Sequence, residues 1–245
     1  MKRFFAALAI STLALSASAA DDLTITFKFS DGATTAHYFT KDRIRMNSGK
    51  TDTILDFVTG KIVTIDNQKK EYSEMTVEEI DATMKAAAAQ MEEAMAQMPP
   101  GLRDRMAGMM GGAAGEVTVT KGATKTIAGY PCQVYSVTMG QSVSQESCNT
   151  TALTPPFDPA NFRKLSRISI PMIQGADKLI AKMSEIQGIA LIQNTTVSMM
   201  GRKSTTSMEA TEVKKGAIGA DVFATPAGYK KVDSPLKKMG RMGGR

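Results

Sequence analysis

The feature that most restricts the fold is a repeated alternation of apolar and polar side chains, interrupted by turn residues. LTITFKFS (residues 23–30) places an apolar residue at every second position, and the turn sequence DGAT follows it closely. In TILDFVTGKIVTIDNQKKEYSEM (residues 53–75), Thr59-Gly60 joins two apolar-rich runs and Asp66-Asn67 starts another reversal. Such runs recur after residue 116 and again after residue 190. This pattern predicts short antiparallel strands with one buried face.

Two segments with helical periodicity interrupt the strands. TVEEIDATMKAAAAQMEEAMAQM (residues 76–98) begins with Thr76 and Glu79 in the spacing of a capping box and has an apolar stripe at three- and four-residue steps. GADKLIAKMSEIQG (residues 175–188) is predicted to form a second amphipathic helix. Because a sheet with one apolar face must be covered, the two helices and the strands together predict an α+β fold.

The first twenty residues have the features of a secretory signal peptide. Lys2 and Arg3 precede an apolar run, and Ala17 and Ala19 form a small-residue cleavage pattern. The run is too short to span a bilayer, and no cysteine follows it to accept a lipid. We therefore expect cleavage after Ala19, no integral membrane segment in the mature chain, and a periplasmic or secreted location.

The same patterns predict the organisation of the chain. We expect a signal peptide at residues 1–19, a single sheet and helix domain at 20–233, and a basic flexible tail at 234–245. A Met- and Gly-rich stretch at about 99–115 is typical of a flexible linker within the domain.

The charge of the chain argues against nucleic acid as a partner. The formal net charge is +6, and removal of Lys2 and Arg3 lowers it to +4, which falls short of a dense basic stripe. The basic tail either touches anionic lipid or an acidic envelope surface, or is simply solvated.

The chain has two cysteines, Cys132 and Cys148. In an oxidising compartment such a pair most simply forms a disulfide. Free thiols and a redox switch are the alternatives, although the spacing is not that of a C-x-x-C motif.

Methionine is unusually frequent, with eighteen residues in the chain and eight of them between Met75 and Met110. Thioether side chains are adaptable, so a methionine stripe on a helix favours either an apolar ligand surface or an ordinary helix core. Soft-metal binding, such as Cu(I) at Met106, Met109 and Met110, is a third interpretation. The residues predicted to line a ligand space are Met84, Met91, Met95, Met98, Leu179 and Met183.

Signals of catalysis are weak. His37 is the only histidine, and the sequence has neither a G-x-S-x-G nucleophile motif nor a phosphate-binding loop. The aspartates are not spaced as in a calcium loop. We therefore predict no catalytic residue, no metal site, no cofactor and no enzymatic activity.

Four segments resemble an exported bacterial family, the domain of unknown function 4412. They are KDRIRMNSG, TILDFVTGKIVTIDNQKKEYSEM, KTIAGYPCQVYSV and ATEVKKGAIGADVFATPAGYKKV. The resemblance implies a relation to periplasmic lipoprotein carriers of the LolA, LolB and LppX type. It also implies a strongly curved antiparallel sheet, or half-barrel, with amphipathic helices packed on its concave face.

The predicted function follows from that resemblance and from the methionine stripe. We expect an exported binding or carrier protein for an apolar ligand, lipid or lipid-like, held between the sheet and the Met-rich helix. An envelope module that binds a protein partner without a small ligand is the alternative, and soft-metal binding is the third.

Overall fold

A computed structural model describes residues 21–99, 101, 116–140, 143–161, 181–199 and 202–237. Its long helix, α1, spans Val77–Ala96, and a short 3-10 helix spans Ala220–Phe223. The strands are β1 (Leu23–Phe29), β2 (Thr34–Phe39), β3 (Arg43–Asn47), β4 (Thr51–Asp56), β5 (Lys61–Asp66), β6 (Glu71–Thr76), β7 (Val117–Ile127), β8 (Tyr130–Met139), β9 (Val143–Thr150), β10 (Ile189–Met199), β11 (Arg202–Lys215) and β12 (Lys230–Lys231).

The twelve described strands form one sheet. Strands β1–β6 make up the first meander, and β7–β11 make up the second. The strand order is β12-β6-β5-β4-β3-β2-β1-β11-β10-β9-β8-β7, so β1 pairs with β2 on one side and with β11 on the other. All neighbours are antiparallel except β12, which runs parallel to β6. The chain therefore returns after β11 to the far edge of the first meander.

One face of the sheet, the disulfide face, carries the largest buried cluster. In β1, Leu23, Ile25 and Phe27 are buried at alternate positions, as the sequence pattern predicts. They belong to the same cluster as Cys132 and Cys148. The first meander continues this face, because directly opposite residues of an antiparallel pair share a side of the sheet. Its buried residues there are Ile44 and Leu55.

The segment between β9 and β10 contacts the sheet at two described places. The ring of Phe157 lies 6.1 Å from that of Phe39 and 5.7 Å from that of Phe57. Gly188, with φ of +89°, precedes β10, and a Cβ atom at this position would lie 2.2 Å from the Thr150 carbonyl oxygen. Only glycine fits this close approach of two backbones.

The opposite face of β3–β6 is the strap face, because residues 216–237, the C-terminal strap, cross it. Phe223 and Tyr229 of the strap pack on a buried cluster that includes Ile54 and Ile65. The Tyr229 hydroxyl donates to Asn67 Oδ1 at 3.2 Å. The strap therefore covers the second apolar side of the first meander.

These findings confirm an α+β fold built on a mainly antiparallel sheet. The parallel pairing of β12 with β6 was not predicted from the sequence. The strong curvature, the packing of helices on a concave face and the domain boundaries stay predictions. The signal peptide at 1–19 lies outside the described residues, and so does the predicted linker except for residues 99 and 101.

Candidate functional site

Helix α1 begins as the sequence predicts. The Thr76 hydroxyl accepts a hydrogen bond from Glu79 N at 3.2 Å, and Glu79 Oε2 accepts one from Thr76 N at 2.9 Å. Val77 N donates to the Gly60 carbonyl at 2.9 Å, and its side chain packs on Ile44 and Leu55. The first turn of α1 is thus joined to the disulfide face.

Beyond its first turn, the apolar stripe of α1 is only partly buried. Ile80 and Met84 are half-buried, and none of the described side chains of the helix is buried. A 20-residue amphipathic helix usually buries such a stripe against a core. The stripe of α1 is therefore a candidate binding surface.

The predicted lining residues are only partly covered by the structure. Met84, Met95 and Met98 are half-buried on α1 or just after it. Leu179 and the side chain of Met91 lie outside the described residues. Met183 packs with Val137 and Met139 of β8.

The sequence predicts that Met183 and the methionines of α1 line one common ligand space. Helix α1 follows β6, and β8 lies near the other end of the strand order. Met183 thus packs on β8, whereas the methionines of α1 follow β6 in the chain. Their joint lining of one cavity stays a prediction.

The predicted disulfide is confirmed. Cys132 of β8 and Cys148 of β9 are bonded, with Cα atoms 5.3 Å apart and side chains 2% and 1% exposed. Both lie in the core cluster of the disulfide face. The bond is a buried staple between neighbouring strands.

An open cavity of about 620 Å³, the edge groove, lies where β6, β12, the start of α1 and the end of the strap meet. Ser234 reaches into this region and donates from its hydroxyl to Met75 Sδ at 2.7 Å. The residues lining the groove are Lys61, Glu74, Met75, Thr76, Glu79, Lys231, Val232, Asp233, Ser234 and Lys237.

Ion pairs form the walls of the edge groove. Glu74 accepts from Lys231 Nζ at 2.6 Å and lies 3.7 Å from Lys61 Nζ. Glu79 accepts from Lys237 Nζ at 2.7 Å. The bond from Lys231 lowers the pKa of Glu74, and the bond from Lys237 lowers the pKa of Glu79. Both bonds favour the ionised carboxylates of Glu74 and Glu79, and the groove is polar, unlike the stripe of α1.

His37 lies in the core of the disulfide face. Its ring centroid is 4.7 Å from that of Phe27, and its Nε2 donates to the Asn47 carbonyl at 3.1 Å. Burial lowers the pKa of His37, although the bond to Asn47 opposes this shift. On the same strand, Thr35 Oγ1 is buried and has no hydrogen-bond partner in the described part of the chain. A neutral ring that donates to a backbone carbonyl indicates a packing role.

Sequence reasoning missed the edge groove. Lys231 and Lys237 lie more than 150 residues from their partners Glu74 and Glu79. They reach these glutamates only because the C-terminal strap returns to β6. The charged residues of KKEYSEM and GYKKV were the available signal, but such charges are typical of any solvated strand. Within the described ranges, no group of three His, Cys, Asp or Glu side chains lies in an arrangement that could hold a metal ion.

A protein-family comparison identifies the chain. The sequence profile described as "Domain of unknown function (DUF4412)" matches residues 102–229, which is 128 of 245 residues. The chain belongs to this family. The match confirms the family that the four sequence segments resemble.

Comparison with other proteins adds no function. No curated protein sequence matches the chain. Among solved structures, an uncharacterized conserved protein from Thermus thermophilus is 7% identical, with a TM-score of 0.43 and coverage of 88% of this chain and 91% of that one. PNGF-II is 12% identical, with a TM-score of 0.39, and the match covers 91% of this chain and 33% of that one. A chain of the Pseudomonas aeruginosa MucA/MucB complex is 12% identical, with a TM-score of 0.33. The match covers 86% of this chain and 58% of that one.

These likenesses are too weak to assign a fold class or an activity. The DUF4412 chain spans only a third of the length of PNGF-II and less than two thirds of its match in the MucA/MucB structure. No helix in the described part of the chain is long and apolar enough to cross a membrane.

Proposed function

We propose that this DUF4412 protein is exported to the periplasm and acts there, without catalysis, as a binding or carrier protein for an apolar ligand. The ligand is lipid-like, with an acyl chain or a similar group that contacts the apolar stripe of α1. The observation that carries the proposal is the incomplete burial of that stripe. Ile80 and Met84 are half-buried on a helix with no buried side chain among those described.

The chemistry of the stripe supports an apolar ligand of irregular shape. Methionine is unbranched and polarisable, so Met84 and Met95 can adapt to a flexible chain better than branched residues would. The disulfide face beside the first turn of α1 is also apolar, because Val77, Phe57 and Phe157 pack around Ile44 and Leu55.

The strand arrangement supports a bent sheet. Three strands separate β7 from β11 in the sheet order, yet Cα atoms of the two come within 8 Å of each other. In a flat sheet, four strand spacings would place them about 19 Å apart. The bend lies among β7–β11, so it supports a concave surface on that part of the sheet.

The proposal is tested with lipid extraction and an apolar probe. Protein exported to the periplasm is extracted with organic solvent, and copurified lipid is identified by mass spectrometry. Binding of the fluorescent probe N-phenyl-1-naphthylamine is then compared for Met84→Gln, Met95→Gln and the control Glu93→Gln. Glu93 is nine residues from Met84 and lies on the opposite side of the helix.

The expected result is weaker probe binding by Met84→Gln and Met95→Gln, with melting temperatures close to those of the wild type and of Glu93→Gln. If the methionines are simple core, each change should instead destabilise the fold by about 2–5 kcal/mol without a separate effect on binding. A wild-type protein that binds no probe and carries no lipid would rule the carrier function out.

The second candidate function is an envelope module that binds another protein. The edge groove favours it, because charged walls and an open shape suit a polar segment of a partner better than an acyl chain. Soft-metal binding at Met106, Met109 and Met110 stays a prediction, since these residues lie outside the described part.

A further inference from the structure

We propose that the edge groove is a docking site for an extended peptide segment that carries an acidic side chain. The peptide adds as a short strand to the outer edge of β6, beyond the point where β12 ends. This site lies at the polar edge of the sheet and does not depend on the apolar ligand proposed for α1.

The backbone of β6 supplies the first argument. β12 pairs with β6 only through Lys230 and Lys231. Val232 N donates to the Tyr72 carbonyl at 2.8 Å, so the backbone groups of Tyr72 point toward the outer edge. Because a strand directs alternate residues to the same edge, the N–H and C=O of Glu74 point outward as well.

Within the described ranges, the outward groups of Glu74 have no strand partner. The pairing of β12 stops opposite Tyr72, and Ser234 has already turned toward Met75 Sδ. The next outward amide, that of Thr76, is satisfied by Glu79 Oε2 at 2.9 Å. Glu74 therefore presents one donor and one acceptor to the groove, in the geometry that strand addition uses.

The side chains supply the second argument. Lys61 and Lys231 share the single carboxylate of Glu74, and the contact of Lys61 is the longer one at 3.7 Å. The Lys61 side chain is 43% exposed. An acidic side chain of the peptide would give Lys61 a closer partner. A volume of about 620 Å³ is within the usual range of ligand sites.

The probe is a fluorescein-labelled hexapeptide of alternating Val and Glu, and its binding is followed by fluorescence anisotropy. The matched control peptide has Lys in place of each Glu. We expect the Glu peptide to bind at least tenfold more tightly than the Lys peptide. Lys61→Glu should abolish this preference, whereas Lys28→Glu, on an exposed position of β1, should leave it unchanged.

A proline substitution isolates the backbone contribution. Proline is tolerated on an edge strand when its missing N–H faces outward, so Glu74→Pro should keep the pairing of β6 with β5. Glu74→Ala removes the same carboxylate but keeps the amide. We expect Glu74→Pro to bind the Glu peptide about tenfold more weakly than Glu74→Ala, as for one lost hydrogen bond.

Hydrogen exchange of the wild-type protein provides a measurement that needs no variant. The Glu74 amide should exchange rapidly in the free protein and become protected when the Glu peptide is added. The proposal is overturned by an unprotected Glu74 amide at saturating peptide, by equal binding of Glu74→Pro and Glu74→Ala, or by no anisotropy change for the wild type.

Discussion

Arg45 of β3 and Asp52 of β4 form an ion pair beneath the C-terminal strap, with side chains 16% and 1% exposed. Arg45 Nε and Nη2 both donate to Asp52 Oδ2, while Asn67 Nδ2 donates to Asp52 Oδ1 at 3.0 Å. Arg45 Nη1 also donates to the Val222 carbonyl at 2.5 Å. The pair therefore joins the first meander to the strap.

Removing one partner of this buried pair should be costly. Arg45→Met leaves the Asp52 carboxylate buried without its cation, and we expect a loss of about 3–5 kcal/mol in the free energy of unfolding. Arg43→Met is the matched control. Arg43 pairs with Asp56 at 2.9 Å but is 43% exposed, so its loss should cost about 1 kcal/mol or less. Urea unfolding of both variants measures the difference, and equal losses would contradict the structural role of the buried pair.

The disulfide should stabilise the fold and resist reduction. Cys132 and Cys148 are separated by 16 positions, and a loop of that size is worth about 3 kcal/mol in the chain-entropy model. We expect no thiol to react with Ellman's reagent in denaturant before reduction. Replacing both cysteines with alanine should lower the free energy of unfolding by about that amount. Two reactive thiols in freshly exported protein would exclude the bond.

The sequence predicted the features that depend on local periodicity and spacing, such as the buried side of a strand and the start of a helix. The alternation in LTITFKFS corresponds to the buried residues of β1, and the capping-box spacing of Thr76 and Glu79 corresponds to the start of α1. The disulfide followed from the predicted compartment, because an oxidising environment leaves few alternatives for two cysteines. Each of these inferences used residues close in the chain or a property of the whole chain.

The sequence did not predict the contacts that the C-terminal strap makes with β6 and α1. The pairing of Lys231 with Tyr72, and the contact of Lys237 with Glu79, join parts of the chain more than 150 residues apart. A two-residue strand has no recognisable pattern. The buried position of Asp52 was also hidden, since an aspartate in a strand normally faces solvent unless a distant segment covers it.

The fold should lose stability in mild acid because of His37. Burial against Phe27 holds the pKa of His37 below its ordinary value of 6.5, so the unfolded chain binds the proton more tightly than the folded protein. The contribution is fully present above about pH 6.5 and falls as the pH drops from there through the lowered pKa of the folded state. His37→Gln should flatten the decline between about pH 6.5 and 5 in urea unfolding experiments. An unchanged slope would mean that other groups cause it.

The cap of α1 should matter more than most helix caps do. None of the described side chains of the helix is buried, so tertiary packing supports it less than usual, and its first turn depends on the reciprocal bonds between Thr76 and Glu79. Thr76→Ala removes the acceptor for Glu79 N and should cost about 1 kcal/mol. Thr76→Ser keeps a hydroxyl at the same position and should behave like the wild type. Circular dichroism at 222 nm and amide exchange along Val77–Ala96 measure the effect. If Ala and Ser give the same helicity and exchange rates, packing rather than the cap holds α1. Its apolar stripe is then more firmly attached to the protein than the partial burial of Ile80 and Met84 indicates.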